Sequence, residues 1–249
     1  MKGVILAGGL ATRLYPLTYA TNKHLLPIYN QPMIFYPIRT LVNAGITEIL
    51  IVTSGPHAGH FIGVVKNGKH LGVTHLEYAY QERPDGGIAD ALLLAEDFSD
   101  NGNIAVILGD NTTDADISKG VRNFAGGATI FLKKIDSKKE LTRFGVPIFD
   151  TNNPKKIIKI EEKPKEPKSD YAVVGLYIFD HTVFNHIREC KPSWRDELEI
   201  TDVNNQYINS GNLGWEELNG FWSDAGTFDT LYYANRYWAE KIESNTHET

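Results

Sequence analysis

Three short, almost unbroken apolar runs constrain the fold more than anything else in the chain: Val4–Ala7, residues 48–53 (EILIVT) and Ile104–Leu108. Each has the length of a strand, and each is apolar at successive positions, as a strand buried on both faces requires. Between them the pattern turns helical. Ile34, Phe35, Ile38, Leu41 and Val42 recur on one helix face, and Gly45 closes that segment. Residues 57–66 read as a short helix ended by Asn67-Gly68, His75–Tyr80 alternates as a strand, and Ile88–Phe98 reads as a helix. Strand and helix alternate through about residue 134. That predicts an α/β fold with a mostly parallel sheet covered by helices.

Beyond that point the texture changes. Residues 144–150, 156–162 and 173–179 look like strands joined by charged turns, with short helices near 182–188 and 201–209. Phe228, Leu231, Tyr232, Asn235, Trp238 and Ile242 mark a mostly apolar stripe on a terminal helix. The expectation is one domain over 1–249: a first lobe to 134, an inserted mixed β/α lobe over 135–225, and a helix over 226–249 packing back, with one cleft between the lobes.

Charge narrows the partners. A net charge of −6 argues against nucleic acid, which needs a basic face. The single cysteine, Cys190, allows no internal disulfide and fits a reducing cytoplasm. No signal-peptide pattern and no membrane-length apolar run is read, so a cytoplasmic protein without a membrane partner is expected. Tyr232, Tyr233 and Tyr237 leave a homo-oligomer open, although a monomer core accounts for them equally well.

Chemistry concentrates at the ends of the apolar runs. Gly8 and Gly9 follow the first, so backbone can approach a ligand, and Thr12 and Arg13 add a hydroxyl and a fixed cationic fork. The spacing is neither a P-loop nor GxGxxG. By itself the loop is equally a tight turn with a surface arginine. Asp110 stands just past the third run, where α/β sheets bind ligands, and Asp224 sits beside a small residue and a glycine. Two carboxylates with few other protein ligands suit Mg²⁺, which takes much of its shell from water and phosphate. Either could also be a turn or cap aspartate. The histidines show no paired spacing for zinc. Gln81 before a Pro-Asp-Gly-Gly turn, Lys163 in a Glu-Glu-Lys-Pro cluster and Arg195 in an acidic segment are weaker candidates, each also readable as a surface residue.

Together, LAGGLATRLYPLT, NKHLLPIYNQPMIFYPI, LGDN, FGV, EEKP, YAVVGLYIFD, ELEITDVN and WSDAGT, in this order from residue 2 to about 240, resemble the glucose-1-phosphate thymidylyltransferase family of sugar nucleotidylyltransferases. The resemblance implies a Rossmann-like fold of the nucleotide-diphospho-sugar transferase type. It also implies Mg²⁺-dependent transfer of a nucleotidyl group from dTTP to glucose 1-phosphate. On it, the first lobe binds nucleotide through Leu6, Gly8, Gly9, Thr12, Arg13, Gln81, Pro84, Gly86 and Asp110. The inserted lobe binds the sugar phosphate through Asn111, Gly145, Glu162, Lys163, Val173, Tyr177 and Arg195. Arg13, Lys23 and Lys163 act in catalysis, and Asp110 and Asp224 hold the metal.

Some positions depart from the family pattern. Ala11 stands where glycine is usual, which is comfortable only if its φ is negative. Asn30 replaces a common aspartate, Ala225 replaces a threonine, and Gly87 looks inserted, so either Gly86 or Gly87 could face the base. The chain is shorter than longer members, whose C-terminal helices help build a regulatory site, so whether a matching site exists here stays open. UTP, another hexose 1-phosphate, or a non-catalytic sensor role are the competing readings.

Overall fold

The computed structural model describes residues 1–193 and 195–246. Strand β1 (Lys2–Ala7) sends Val4 and Leu6 into one hydrophobic layer and Ile5 and Ala7 into the other, and all four are buried. Alternating side chains with apolar residues at every position leave no face for water. β2 (Glu48–Ser54) and β4 (Ile104–Leu108) flank β1 in parallel, and β3 (His75–Gln81) lies parallel outside β2. The order β3-β2-β1-β4 means that the chain leaves β1 to one side and returns to β4 on the other. The carboxyl ends of β1 and β4 therefore border a topological switch point, where open α/β sheets form a crevice.

The sheet continues without a break through later residues. β5 (Ala128–Lys134), β6 (Gly145–Phe149), β7 (Ile157–Glu162), β8 (Tyr171–Phe179) and β9 (Leu213–Glu217) complete nine strands. β8 runs antiparallel to β4 on one edge, with Tyr177 opposite Val106, and antiparallel to β5 on the other, with Tyr177 opposite Ile130. Near its start the first edge meets β6 instead, with Val173 opposite Gly145. β6 pairs with β7, and β9 lies parallel to β5. One edge of β8 is thus divided between β4 and β6, and the site opens between those two strands.

Helix α1 (Phe35–Asn43) covers the Ile5 face through Ile38 and Leu41. α2 (Ile88–Leu93), α3 (Val183–Glu189) and α4 (Ile200–Asn209) cover the Val4 face. The helix expected over 88–98 is two pieces, because Leu94 and Ala95 bond three residues back and break the turn before Glu96–Ser99. Strands β5 and β9 and the helix Ser118–Asn123 had no individual counterpart in the sequence reading.

Helix α5 (Phe228–Thr246) packs Leu231 and Ala234 against Leu14, Ile28, Met33 and Tyr36 in a third hydrophobic cluster. The expected stripe is shifted. Tyr232 is 69% exposed and Phe228 is also exposed, while the inward line runs Leu231, Ala234, Trp238. Those three share a face at i, i+3, i+7, from which Tyr232 is turned by about 100°. Tyr237 stacks on Phe221 at 3.8 Å and donates to Asp114. No helix among the described residues is long and apolar enough to cross a membrane.

Candidate active site

Two cavities meet at the switch point. The smaller, about 270 Å³, is lined by Leu6, Gly8 and Gly9 from the end of β1, Arg13 and Lys23 from the segment that follows, Gln81 from the end of β3, Pro84 and Gly87 from the next turn, and Asp110. Gly9 has φ +93°, and its N–H donates to Ser54 Oγ at 2.8 Å. That bond turns the loop off the strand, in a conformation that glycine adopts without strain. Gly87 has φ +94°, and a Cβ there would stand 2.6 Å from the Leu198 carbonyl oxygen. Gly86 is buried behind this wall and outside the lining. The inserted glycine is the one that faces the cavity, because Gly86 is tied to Leu198 N–H and roofed by Asp90.

The larger cavity, about 610 Å³, holds Thr12, Asn111, Gly145, Glu162, Lys163, Val173, Tyr177, Arg195 and Asp224. Arg13 and Asp110 line both cavities, so the two are continuous across these side chains. Thr12, expected with the nucleotide group, lies on the wall of the larger one.

At the junction, Lys23 Nζ reaches Asp110 Oδ2 at 2.5 Å and Arg143 Nη2 reaches Asp224 Oδ2 at 2.5 Å. A Cβ built on Gly226 would lie 3.3 Å from Arg13 Nη2 and 3.6 Å from Asp110 Oδ2, so these two side chains meet beside the Asp224 backbone. The Asp224 carboxylate is close enough to feel the charges of Asp110, Arg143 and Arg13, so the cationic fork and both carboxylates share one site although they come from segments far apart in sequence. Burial favours the neutral form of Asp110, but Lys23, with hydrogen bonds from Lys23 and Asn111, outweighs it and holds the carboxyl below the ordinary range. Asp224 goes the other way. Burial, then repulsion from Asp110, pushes it up, and Arg143 and Arg13 offset only part of this. Two close carboxylates whose pKa values are driven apart form a field that a divalent cation relieves.

Beneath Lys23, His24 is fully buried with Nδ1 2.6 Å from Asn22 Oδ1, and burial with the adjacent Lys23 charge holds its pKa down to about 3. It is a neutral wedge rather than an acid or base. Asn111 Oδ1 accepts from Trp222 Nε1 at 2.7 Å and from Gly175 N–H at 3.1 Å, which ties the end of β4 to β8.

On the far wall, Glu162 Oε2 accepts from Thr201 Oγ1 at 2.6 Å, and its other oxygen is 3.1 Å from Lys163 Nζ. Arg195 Nη2 is 2.6 Å from Glu199 and 3.9 Å from Glu162. Tyr177 is buried, and burial followed by the Glu162 charge raises its hydroxyl pKa further, so it is a neutral donor here.

A sequence model of the family described as nucleotidyl transferase matches residues 2–241. The chain belongs to this nucleotidyl transferase family. It is 43% identical over 240 residues to the glucose-1-phosphate thymidylyltransferase of Neisseria gonorrhoeae, spanning 94% of this chain and 81% of that one. It is 42% identical over 242 residues to the enzyme of the same name from Mycolicibacterium smegmatis, 95% against 82%. A Bacillus anthracis structure described as a glucose-1-phosphate thymidylyltransferase, in complex with a sucrose, superposes with TM-score 0.87 at 47% identity, covering 95% and 94%. A UDP-glucose pyrophosphorylase with bound UDP-glucose superposes at 0.82, but at 23% identity it shares only the fold.

Sequence reasoning missed several residues of this nucleotidyl transferase. Arg143, Glu197 and Trp222 line the cavities, and Asp90 stands behind Gln81. The signal was thin. Arg143 is a lone cation in a turn, and its partner Asp224 is 81 residues away. Asp90 reads as an ordinary first-turn acid, favourable at any helix start.

Proposed function

We propose that the chain transfers a thymidylyl group from dTTP to α-D-glucose 1-phosphate, releasing pyrophosphate and forming dTDP-glucose. The observation that carries this reading is the convergence of Arg13, Asp110 and Asp224 beside Gly226, between a glycine-walled cavity and a polar one. We read residues 1–134 as the nucleotide-binding lobe, 135–225 as the sugar-phosphate-binding lobe and the segment from 226, through the helix Phe228–Thr246, as packing back; the last three residues of the expected 226–249 segment lie outside the described residues.

The sugar phosphate is already an anion at neutral pH, so its oxygen needs no general base. The barrier is electrostatic: one phosphate must approach another. A phosphate oxygen of the sugar attacks the α-phosphorus in line, and the bond from that phosphorus to the β-phosphate oxygen breaks. Arg13 neutralises charge developing on the departing pyrophosphate, and Lys23 holds a phosphate oxygen from the same side. Lys163 and Arg195 aim the attacking phosphate, while Glu162, Tyr177 and the Gly145 backbone orient sugar hydroxyls. Leu6, Gly8, Gly9 and Pro84 pack the nucleoside, Gln81 and Gly87 face its base, and Asn111 and Val173 shape the sugar end.

Asp110 and Asp224 fit Mg²⁺: they are hard oxygen donors whose charges act on each other where the cavities meet. Bound there, Mg²⁺ supplies charge neutralisation at the reacting phosphates. The test is pyrophosphate release on mixing the protein, dTTP, glucose 1-phosphate and Mg²⁺. Release that needs all four is expected. No release with any pyrimidine nucleotide and hexose 1-phosphate would overturn the reading.

A further inference from the structure

Gln81 is 4% exposed, and the two ends of its carboxamide face different things. One end lies 2.8 Å from Asp90 Oδ2 and 3.3 Å from the Gly87 carbonyl oxygen. Both neighbours are acceptors, so only the NH₂ group fits there, and the carbonyl oxygen Oε1 must point away. It points toward Gly8, where a Cβ would lie 2.9 Å from it, on the cavity wall.

Asp90 lies outside the cavity lining, on the first turn of α2. A Cβ on Gly86 would stand 2.4 Å from Asp90 Oδ2. The buried Gly86 therefore leaves the room in which Asp90 meets Gln81.

We propose that Asp90 is a specificity-positioning residue: by locking the Gln81 amide with its oxygen toward the cavity, it makes the base site accept only a pyrimidine ring that carries N–H between two carbonyls. This rests on the proposed function. Thymine and uracil present that N–H and would donate to Oε1. Cytosine presents a bare ring nitrogen there, and two acceptors would face each other, one of them buried. A wrong hydrogen-bond pairing in a closed site discriminates far more than a missing contact does. An unrestrained amide could rotate by half a turn and offer NH₂ to cytosine, which removes the discrimination.

The experiment compares kcat/KM for dTTP and dCTP, with glucose 1-phosphate and Mg²⁺, in the wild type, D90A and D90N. The ratio of dTTP to dCTP is expected to fall at least about tenfold in D90A. A smaller fall in the same direction is expected in D90N, whose amide can donate as well as accept. If D90A does not fold, the nearly isosteric D90N carries the test. A purely structural role for Asp90 would lower both rates together and leave the ratio within about twofold, and that result overturns the proposal. A wild type that releases pyrophosphate from no pyrimidine nucleotide would instead overturn the proposed function, so the two failures are distinguishable.

Discussion

The cavity assigned to the nucleotide and the one assigned to the sugar phosphate hold their charges differently. In the first, Lys23, from the single turn Lys23–Leu25, and Asp110, just past the end of β4, lie 2.5 Å apart with side chains 13% and 12% exposed. In the second, Lys163 is 42% exposed, and Arg195 shares itself among Glu162, Glu197 and Glu199. A buried pair is preorganised, so removing one partner leaves a charge stranded in low dielectric. An exposed cation is screened and mobile, and contributes mainly to capturing an anion. Losing a member of the buried charge cluster should therefore appear in kcat and stability, and losing an exposed cation of the far wall in KM.

The largest expected effects test the two carboxylates against each other. Asp110→Asn and Asp224→Asn should each lower kcat by about 10³-fold in a pyrophosphate-release assay. Their stabilities should move in opposite directions. The folded-state pKa of Asp110 is depressed, so its stabilisation is present above the unfolded-state pKa and is lost as pH falls through the folded one. That of Asp224 is raised, so its ionisation costs stability, a cost complete above the folded-state pKa and absent below the unfolded one. At neutral pH, Asp110→Asn should cost about 2 kcal/mol and strand Lys23. Asp224→Asn should stabilise the free protein by about 1 kcal/mol, a few degrees in Tm. Equal Tm shifts would break the contrast.

Arg13 is exposed, unlike Lys23, but its fork lies beside Asp110 at Gly226. Arg13→Ala should lower kcat by about 10²-fold with little change in KM, because the fork acts on charge that appears only during the reaction. Lys163→Ala should do the reverse, raising KM for glucose 1-phosphate by about tenfold with kcat within about threefold. If both variants lose only KM, the preorganised side is no more than a binding surface.

The same contrast decides what could be read from residues alone. The parallel half was legible almost element by element, because strands covered on both faces are apolar throughout, and Val4–Ala7 or Ile104–Leu108 look like nothing else. β9 was illegible: Leu213–Glu217 is short, half-exposed and ends in two glutamates, so backbone pairing with β5 makes it a strand. The site followed the same rule. Residues at strand ends, such as Gly8, Gln81 and Asp110, stood in recognisable places. Arg143 acquires meaning only when β6 folds beside β8 and brings it to Asp224, and local sequence holds no trace of that.

The smallest expected effect sharpens the comparison at a strained residue of the nucleotide side. Ala11 has φ +52° and ψ +38°, the left-handed region that its methyl disfavours, so the sequence-based condition of a negative φ is not met. The loop forces it. Leu14 is fully buried and anchors one end, while Thr18 Oγ1 donates to the Ala11 carbonyl oxygen at 3.0 Å. An L-residue held there costs about 1–2 kcal/mol. Glycine would remove that cost but adds up to about 1 kcal/mol of unfolded-chain entropy. Ala11→Gly should therefore stabilise the protein by about 0.5 kcal/mol, read as a small rise in Tm. Because Leu14 and Thr18, not Ala11, fix the loop, kcat should stay within about twofold. A tenfold fall in kcat at unchanged KM would mean that the strained alanine itself aims Arg13, and that the rigidity of this side resides in the loop rather than in the buried pair beneath it.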